Sequence, residues 1–120
     1  MALLVTGLSA CAQSGGSNLD VTQVAKMIAD NEDIVLIDVR TPEEFMQGHL
    51  DGAKLIDFYD TNFQDEINKL DTAKKYVVYC RSGGRSAKSV SAMKKAGFGE
   101  VYNMSGGVLA WQSAKYEVVK

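Results

Sequence analysis

The segment Lys74–Val90, KKYVVYCRSGGRSAKSV, decides the fold. Tyr76 to Tyr79 form an apolar, β-rich run that ends at Cys80. Hydrophobicity that is continuous rather than alternating predicts a strand buried on both faces, as in a parallel sheet. Arg81, Ser82, Gly83, Gly84, Arg85 and Ser86 follow, a loop of small residues between two guanidiniums. Residues 85–98 then predict a helix with Ala87, Val90, Met93 and Ala96–Gly97 toward the core. Lys94 and Lys95 fall in its last turn, where cations suit the macrodipole.

The same strand–helix alternation extends in both directions. Upstream, DIVLIDVR (Asp33–Arg40) reads as a second buried strand. Thr41 as N-cap, Pro42 at the first helical position and Glu43–Glu44 in the first turn start a helix that Gly48 ends. AKLIDF is a further strand and NFQDEINKL a short helix bearing Phe63, Ile67 and Leu70. Nearer the start, Val21, Val24, Ala25, Ile28 and Ala29 recur at helical spacing. Asp20 and Gln23 form a capping box before them, and Asn31 is a stop. Downstream, EVYNM is a last strand and GGVLAWQSA a last helix. The pattern argues an α/β domain with a mostly parallel sheet and right-handed crossovers.

The chain has 120 residues, 46% hydrophobic and 23% charged, which suits one domain. A net charge of −2 argues against a general nucleic-acid binder. No apolar run reaches the ~18 residues that a spanning helix needs. The start is different in kind: MALLVTGLSAC is apolar and AQSGGSN small and polar. Leu8–Cys11 resembles a bacterial lipobox, which makes Cys11 a candidate lipidation site and 13–18 a flexible tether. The alternative is a disordered N-terminus with no role. Residues 1–18 are therefore set apart from a folded domain over 19–120. A lipid anchor places the protein at the bacterial cell envelope, with the cytoplasm as the alternative. A Cys11–Cys80 disulfide is disfavoured, because it would tie a tail to the most structured loop.

Cys80 is the candidate nucleophile. It sits at the carboxyl end of a central strand, where open α/β sheets bind ligands. Gly83 and Gly84 permit a sharp turn in which successive N–H groups form an anion-binding nest. The next helix adds its positive end, and Arg81 and Arg85 flank the site. All of these favour the thiolate; lowering the pKa by about 2 units would ionise most of a thiol that starts near 8.5. His49 is the only histidine. It reads as a structural residue rather than the base of a Cys–His hydrolase. One domain cysteine and one histidine do not make a metal site.

Three stretches resemble the single-domain rhodaneses, a family of sulfurtransferases, in order and at normal spacing. IDVRTPEEFMQGHLDGA resembles the family's first signature, CRSGGRS its active-site loop, and GFGEVYNMSGGVLAW its C-terminal signature. The resemblance covers about residues 20–120. It implies a five-stranded, mostly parallel sheet with helices on both faces. It implies that Cys80 carries a persulfide sulfur, cradled by backbone N–H groups from Arg81 to Arg85 and by the Ser82 hydroxyl. The substrate-binding set extends over Arg81, Ser82, Gly83, Gly84, Arg85 and Ser86. Asp38 and Arg40 match positions bordering the pocket, either as substrate contacts or as an ion pair that orders loops. Glu44, His49 and Trp111 match positions of structural kind. No cofactor is implied; the partners are a small anionic sulfur donor and a thiol acceptor, and a monomer suffices. Relatives that act on mercaptopyruvate have a small neutral residue after the cysteine, whereas Arg81 suits a dianion such as thiosulfate, with polysulfide as an alternative. Phosphatases and arsenate reductases of this fold separate cysteine and arginine by five residues. Here four separate Cys80 from Arg85, a tighter cup that fits one sulfur atom. A non-enzymatic persulfide carrier fits the same loop.

Overall fold

The computed structural model describes residues 17–120. The lipobox and Cys11 lie outside the described residues. Five parallel strands form one sheet: β1 (Asn18–Leu19), β2 (Ile34–Asp38), β3 (Lys54–Leu55), β4 (Lys75–Tyr79) and β5 (Glu100–Met104). Their order is β1-β5-β4-β2-β3, so β4 is central. The helices are α1 (Val21–Ala29), α2 (Pro42–Met46), α3 (Phe63–Asn68), α4 (Gly84–Lys95) and α5 (Gly107–Ser113). None of the described helices is long and apolar enough to cross a membrane.

The continuous apolar strands divide their side chains between two cores. Tyr76 and Val78 of β4 join Ile37, Ile67, Val90 and Met93 on one face. Val77 and Tyr79 join Leu36, Val24, Val108 and Trp111 on the other. Successive strand side chains point to opposite faces, so a strand covered on both sides is apolar at every position. The first two helix starts form as their residues dictate. Asp20 with Gln23, and Thr41 with Glu44, make reciprocal capping boxes, and Asn31 leaves α1 with a left-handed φ of 57°.

Three details depart from the sequence reading. Ile28 and Ala29 of α1 are exposed, because only Val21 and Val24 are fully covered by the sheet. On α4 the inward face is Ser86, Ser89, Val90 and Met93, while Ala87, Ala96 and Gly97 are exposed. The fifth strand, β1, lies where the tether was expected to join the domain. Its short ladder pairs Asn18 with Asn103 and Leu19 with Met104 at the sheet edge.

α5 positions the loop after β4. The N–H groups of Val108 and Leu109 donate to the carbonyls of Cys80 and Arg81 at 2.9 and 3.1 Å. Helix starts have orphan N–H groups, and here another loop's backbone satisfies them. Gly107 permits the approach: it has a φ of +59°, and a Cβ there would overlap the carbonyl oxygens of both Cys80 and Arg81. Replacement Gly107→Ala is expected to cost about 1–3 kcal/mol through overpacking and backbone strain. A lower urea midpoint with an unchanged slope checks this, and an unchanged midpoint refutes the close approach.

Candidate active site

Cys80 follows β4 directly and is only 1% exposed. Its Sγ accepts the Gly83 N–H at 3.1 Å, and the Ser86 Oγ lies 3.4 Å away. Gly83 holds a φ of +119° as N-cap of α4, and no side chain caps that helix. The sulfur stands where a capping oxygen would stand. Burial opposes the charged form of Cys80. The Ser86 side chain and the N–H groups of Ser86, Gly83 and Ser82 outweigh it and hold the thiol below its ordinary value. The main lowering thus comes from hydrogen bonds rather than from the two arginines. The hydroxyl at the sulfur belongs to Ser86, which is fully buried, while Ser82 and Gly84 are exposed.

The arginines have different surroundings. Arg85 turns from the sulfur to α2, where its two terminal nitrogens donate to the Glu44 carboxylate at 2.8 and 2.9 Å. Its guanidinium also lies 5.6 Å from the centre of the exposed Tyr59 ring. The hydrogen bond from Arg85 draws the Glu44 carboxyl down to about 2. Arg85 is therefore already paired, and Glu44 is the residue that anchors the loop to α2. Arg81 is exposed and has no such partner among the described residues. It lines a cleft of about 230 Å³ with Arg40, Glu44, Gln47, Leu109 and Gln112.

Asp38 and Arg40 form a buried pair at the end of β2. Arg40 donates from Nη2 to Asp38 at 2.7 Å and to the Gly48 carbonyl at 2.7 Å. Asp38 also accepts the Arg40 backbone N–H and is fully buried. Of the two roles expected for this pair, the geometry displays the ion pair: Asp38 orients Arg40, which lines the cleft. His49 lies with its ring 3.6 Å from that of Phe45 and its Nδ1 2.9 Å from the Phe45 carbonyl. Trp111 is core, and its Nε1 donates to the Glu117 carbonyl.

Two participants escape a reading of the residues alone. Gly107 shapes the loop from a distant helix. Asn103, buried in β5, accepts the Ser86 hydroxyl at 2.6 Å. Its one signal was a carboxamide inside an otherwise apolar strand, since buried polar groups are hydrogen-bonded to something.

The family model described as "Rhodanese-like domain" matches residues 20–114. The "Probable adenylyltransferase/sulfurtransferase MoeZ" of Mycobacterium tuberculosis is 36% identical over 96 residues, 80% of this chain. The chain spans only 24% of that relative's length. "Thiosulfate sulfurtransferase 18" of Arabidopsis thaliana is 30% identical over 113 residues, covering 84% of this chain and 82% of the relative. Among solved structures, a rhodanese-related protein from Thermoplasma volcanium superposes with a TM-score of 0.76 at 25% identity, covering 85% of this chain and 96% of the other.

The Glu44–Arg85 pair has a pH signature. Glu44 ionises lower in the folded chain than its ordinary 4.5, so its contribution is complete above that value. It fades as pH falls toward 2, where the folded carboxyl takes up its proton. Replacement Glu44→Gln is expected to cost about 1–3 kcal/mol near neutrality, the pair being partly screened. Urea unfolding of both forms from neutral pH to pH 2 should show the difference shrinking below about pH 4.5. A difference that is constant with pH would sink the assignment.

Proposed function

The chain belongs to the rhodanese-like domain family, and we propose that it is a sulfurtransferase that moves a sulfane sulfur through a persulfide on Cys80. The observation that carries this reading is the one-atom cup. Gly83 and Ser86 approach the sulfur at 3.1 and 3.4 Å, inside a loop with four residues between Cys80 and Arg85. A tetrahedral oxyanion needs more room than this, whereas one added sulfur can take over the same donors.

Thiosulfate is the proposed donor, with polysulfide as the alternative. The exposed Arg81, with the buried Arg40 in the cleft wall, gives the cleft cationic groups for a dianion. The Cys80 thiolate attacks the outer sulfur, a new S–S bond forms, and the S–S bond of thiosulfate breaks. Sulfite leaves with the electron pair. A thiolate acceptor, or cyanide in an assay, then attacks the outer sulfur of the persulfide. The bond to Cys80 breaks and the thiolate returns, so the cycle is covalent and ping-pong. The near-complete burial of Cys80 favours donors that present a terminal sulfur over bulky ones. The same reading includes a monomeric domain held at the cell envelope by lipid on Cys11.

Thiocyanate formation from thiosulfate and cyanide tests the reaction. Cys80→Ala is expected to abolish it, and Arg81→Ala to raise the KM for thiosulfate more than it lowers kcat. Phosphate release from an aryl phosphate, without thiocyanate, would overturn the proposal.

A further inference from the structure

The Ser86 hydroxyl has a single hydrogen and three acceptors within reach. Asn103 Oδ1 lies at 2.6 Å, the Gly83 carbonyl at 3.2 Å and Cys80 Sγ at 3.4 Å. A hydroxyl can donate to one of these at a time while its lone pairs face the others. The shortest contact marks where the hydrogen lies. With that hydrogen on Asn103, Ser86 turns a lone pair to Cys80, which suits a neutral S–H donor and not a thiolate.

The amide of Asn103 is itself oriented. Its Nδ2 donates to Asn18 Oδ1 at 3.0 Å, which turns Oδ1 toward Ser86. Asn18 and Asn103 are direct partners across the β1–β5 ladder. A polar chain thus runs from the sheet edge to the sulfur, Asn18 to Asn103 to Ser86 to Cys80. Among the described residues, the Asn103 side chain hydrogen-bonds only Ser86 and Asn18. The charged groups around the cup lie on other elements. Arg81 and Arg85 belong to the loop and the start of α4, Glu44 to α2, and the Asp38–Arg40 pair to the end of β2. The residues of β5 and α5 that pack on the cup, Asn103, Gly107 and Val108, are uncharged.

We infer that Asn103 is a positioning residue that governs whether the Ser86 hydrogen points toward the Cys80 sulfur or away from it. When Cys80 ionises, Ser86 must rotate its hydrogen from Asn103 to Sγ. The Asn103 oxygen, in a residue only 6% exposed, then loses its donor. Leaving a buried acceptor unpaired is costly, so Asn103 works against ionisation while Gly83 works for it. When the sulfur is loaded, Sγ becomes a neutral disulfide-type atom and the hydrogen returns to Asn103. The residue therefore keeps the thiol from becoming too weak a nucleophile, since nucleophilicity falls with thiol pKa. This deepens the sulfurtransferase reading and rests on Cys80 being its nucleophile.

The pH dependence of iodoacetamide alkylation of Cys80 in the full chain, followed by mass of the Cys80 peptide, reads the thiol without any sulfur donor. Asn103→Leu is expected to lower the alkylation midpoint by about half to one pH unit, because Ser86 then has its hydrogen free for the sulfur. Ser86→Ala is expected to raise it. The double variant should match Ser86→Ala, since Asn103 acts only through that hydroxyl. The exposed Asn18→Ala, which frees the Asn103 amide to flip, should lower the midpoint by a smaller amount, and it serves alone if Asn103→Leu fails to fold. A raised or unchanged midpoint in Asn103→Leu, or in Asn18→Ala when that variant stands alone, overturns the inference. So does a double variant that departs from Ser86→Ala. Wild-type thiocyanate formation is scored separately, so absence of transferase activity would leave these midpoints readable.

Discussion

Two backbone hydrogen bonds from α5 to the carbonyls of Cys80 and Arg81 give the active loop its shape. A trans peptide is planar, with its C=O and N–H on opposite sides. Turning the Arg81 carbonyl toward α5 therefore turns the Ser82 N–H the other way, and that N–H is among the groups that hold the Cys80 thiol below its ordinary value. The cup is a consequence of where its carbonyls are held. Side chains refine it, but the backbone direction comes from a helix more than twenty residues downstream in the sequence. This is why a glycine with no polar group, Gly107, belongs with the site.

Electrostatics then divides the labour between the two loop arginines. Arg85 is committed to Glu44, which joins the loop to α2 and neutralises one positive charge near the thiol. Arg81, at the rim, is the guanidinium open to the cleft. Beneath them, Asp38 and Arg40 close the end of β2 without a net charge. Five charged side chains, from two strand ends and two helices, thus leave about one positive charge uncompensated around the cup.

Much of this was legible in the sequence. Continuous apolar runs at 34–37 and 76–79 identify strands covered on both sides, and both divide cleanly between two cores. Capping signals at Asp20 and Thr41 act within a few residues, so their geometry follows from local composition. Cys80 and its glycine loop declare themselves by residue type. The less legible parts all depend on distant partners. Helical spacing makes Ile28 and Ala87 look inward, but how far the sheet reaches beneath a helix is a tertiary matter. Strand β1 has two residues and no apolar pattern of its own, and it exists because β5 offers an edge. Arg85 looked free to meet a substrate because its partner lies 41 positions earlier. Asn103 could be seen as an anomaly in EVYNM, but not as a partner of Ser86.

The strand order carries a consequence for the chain as it leaves the ribosome. The two asparagines that meet across the β1–β5 edge are 85 positions apart, and α5 comes later still. During vectorial synthesis β1 has no partner until the final strand emerges, and the loop after β4 has no clamp until the last helix does. Between the addition of Cys80 and the emergence of α5, the nascent protein thus carries a cysteine whose surroundings are unfinished. The cup around Cys80 is complete only after both neighbouring elements, β5 and α5, have been made.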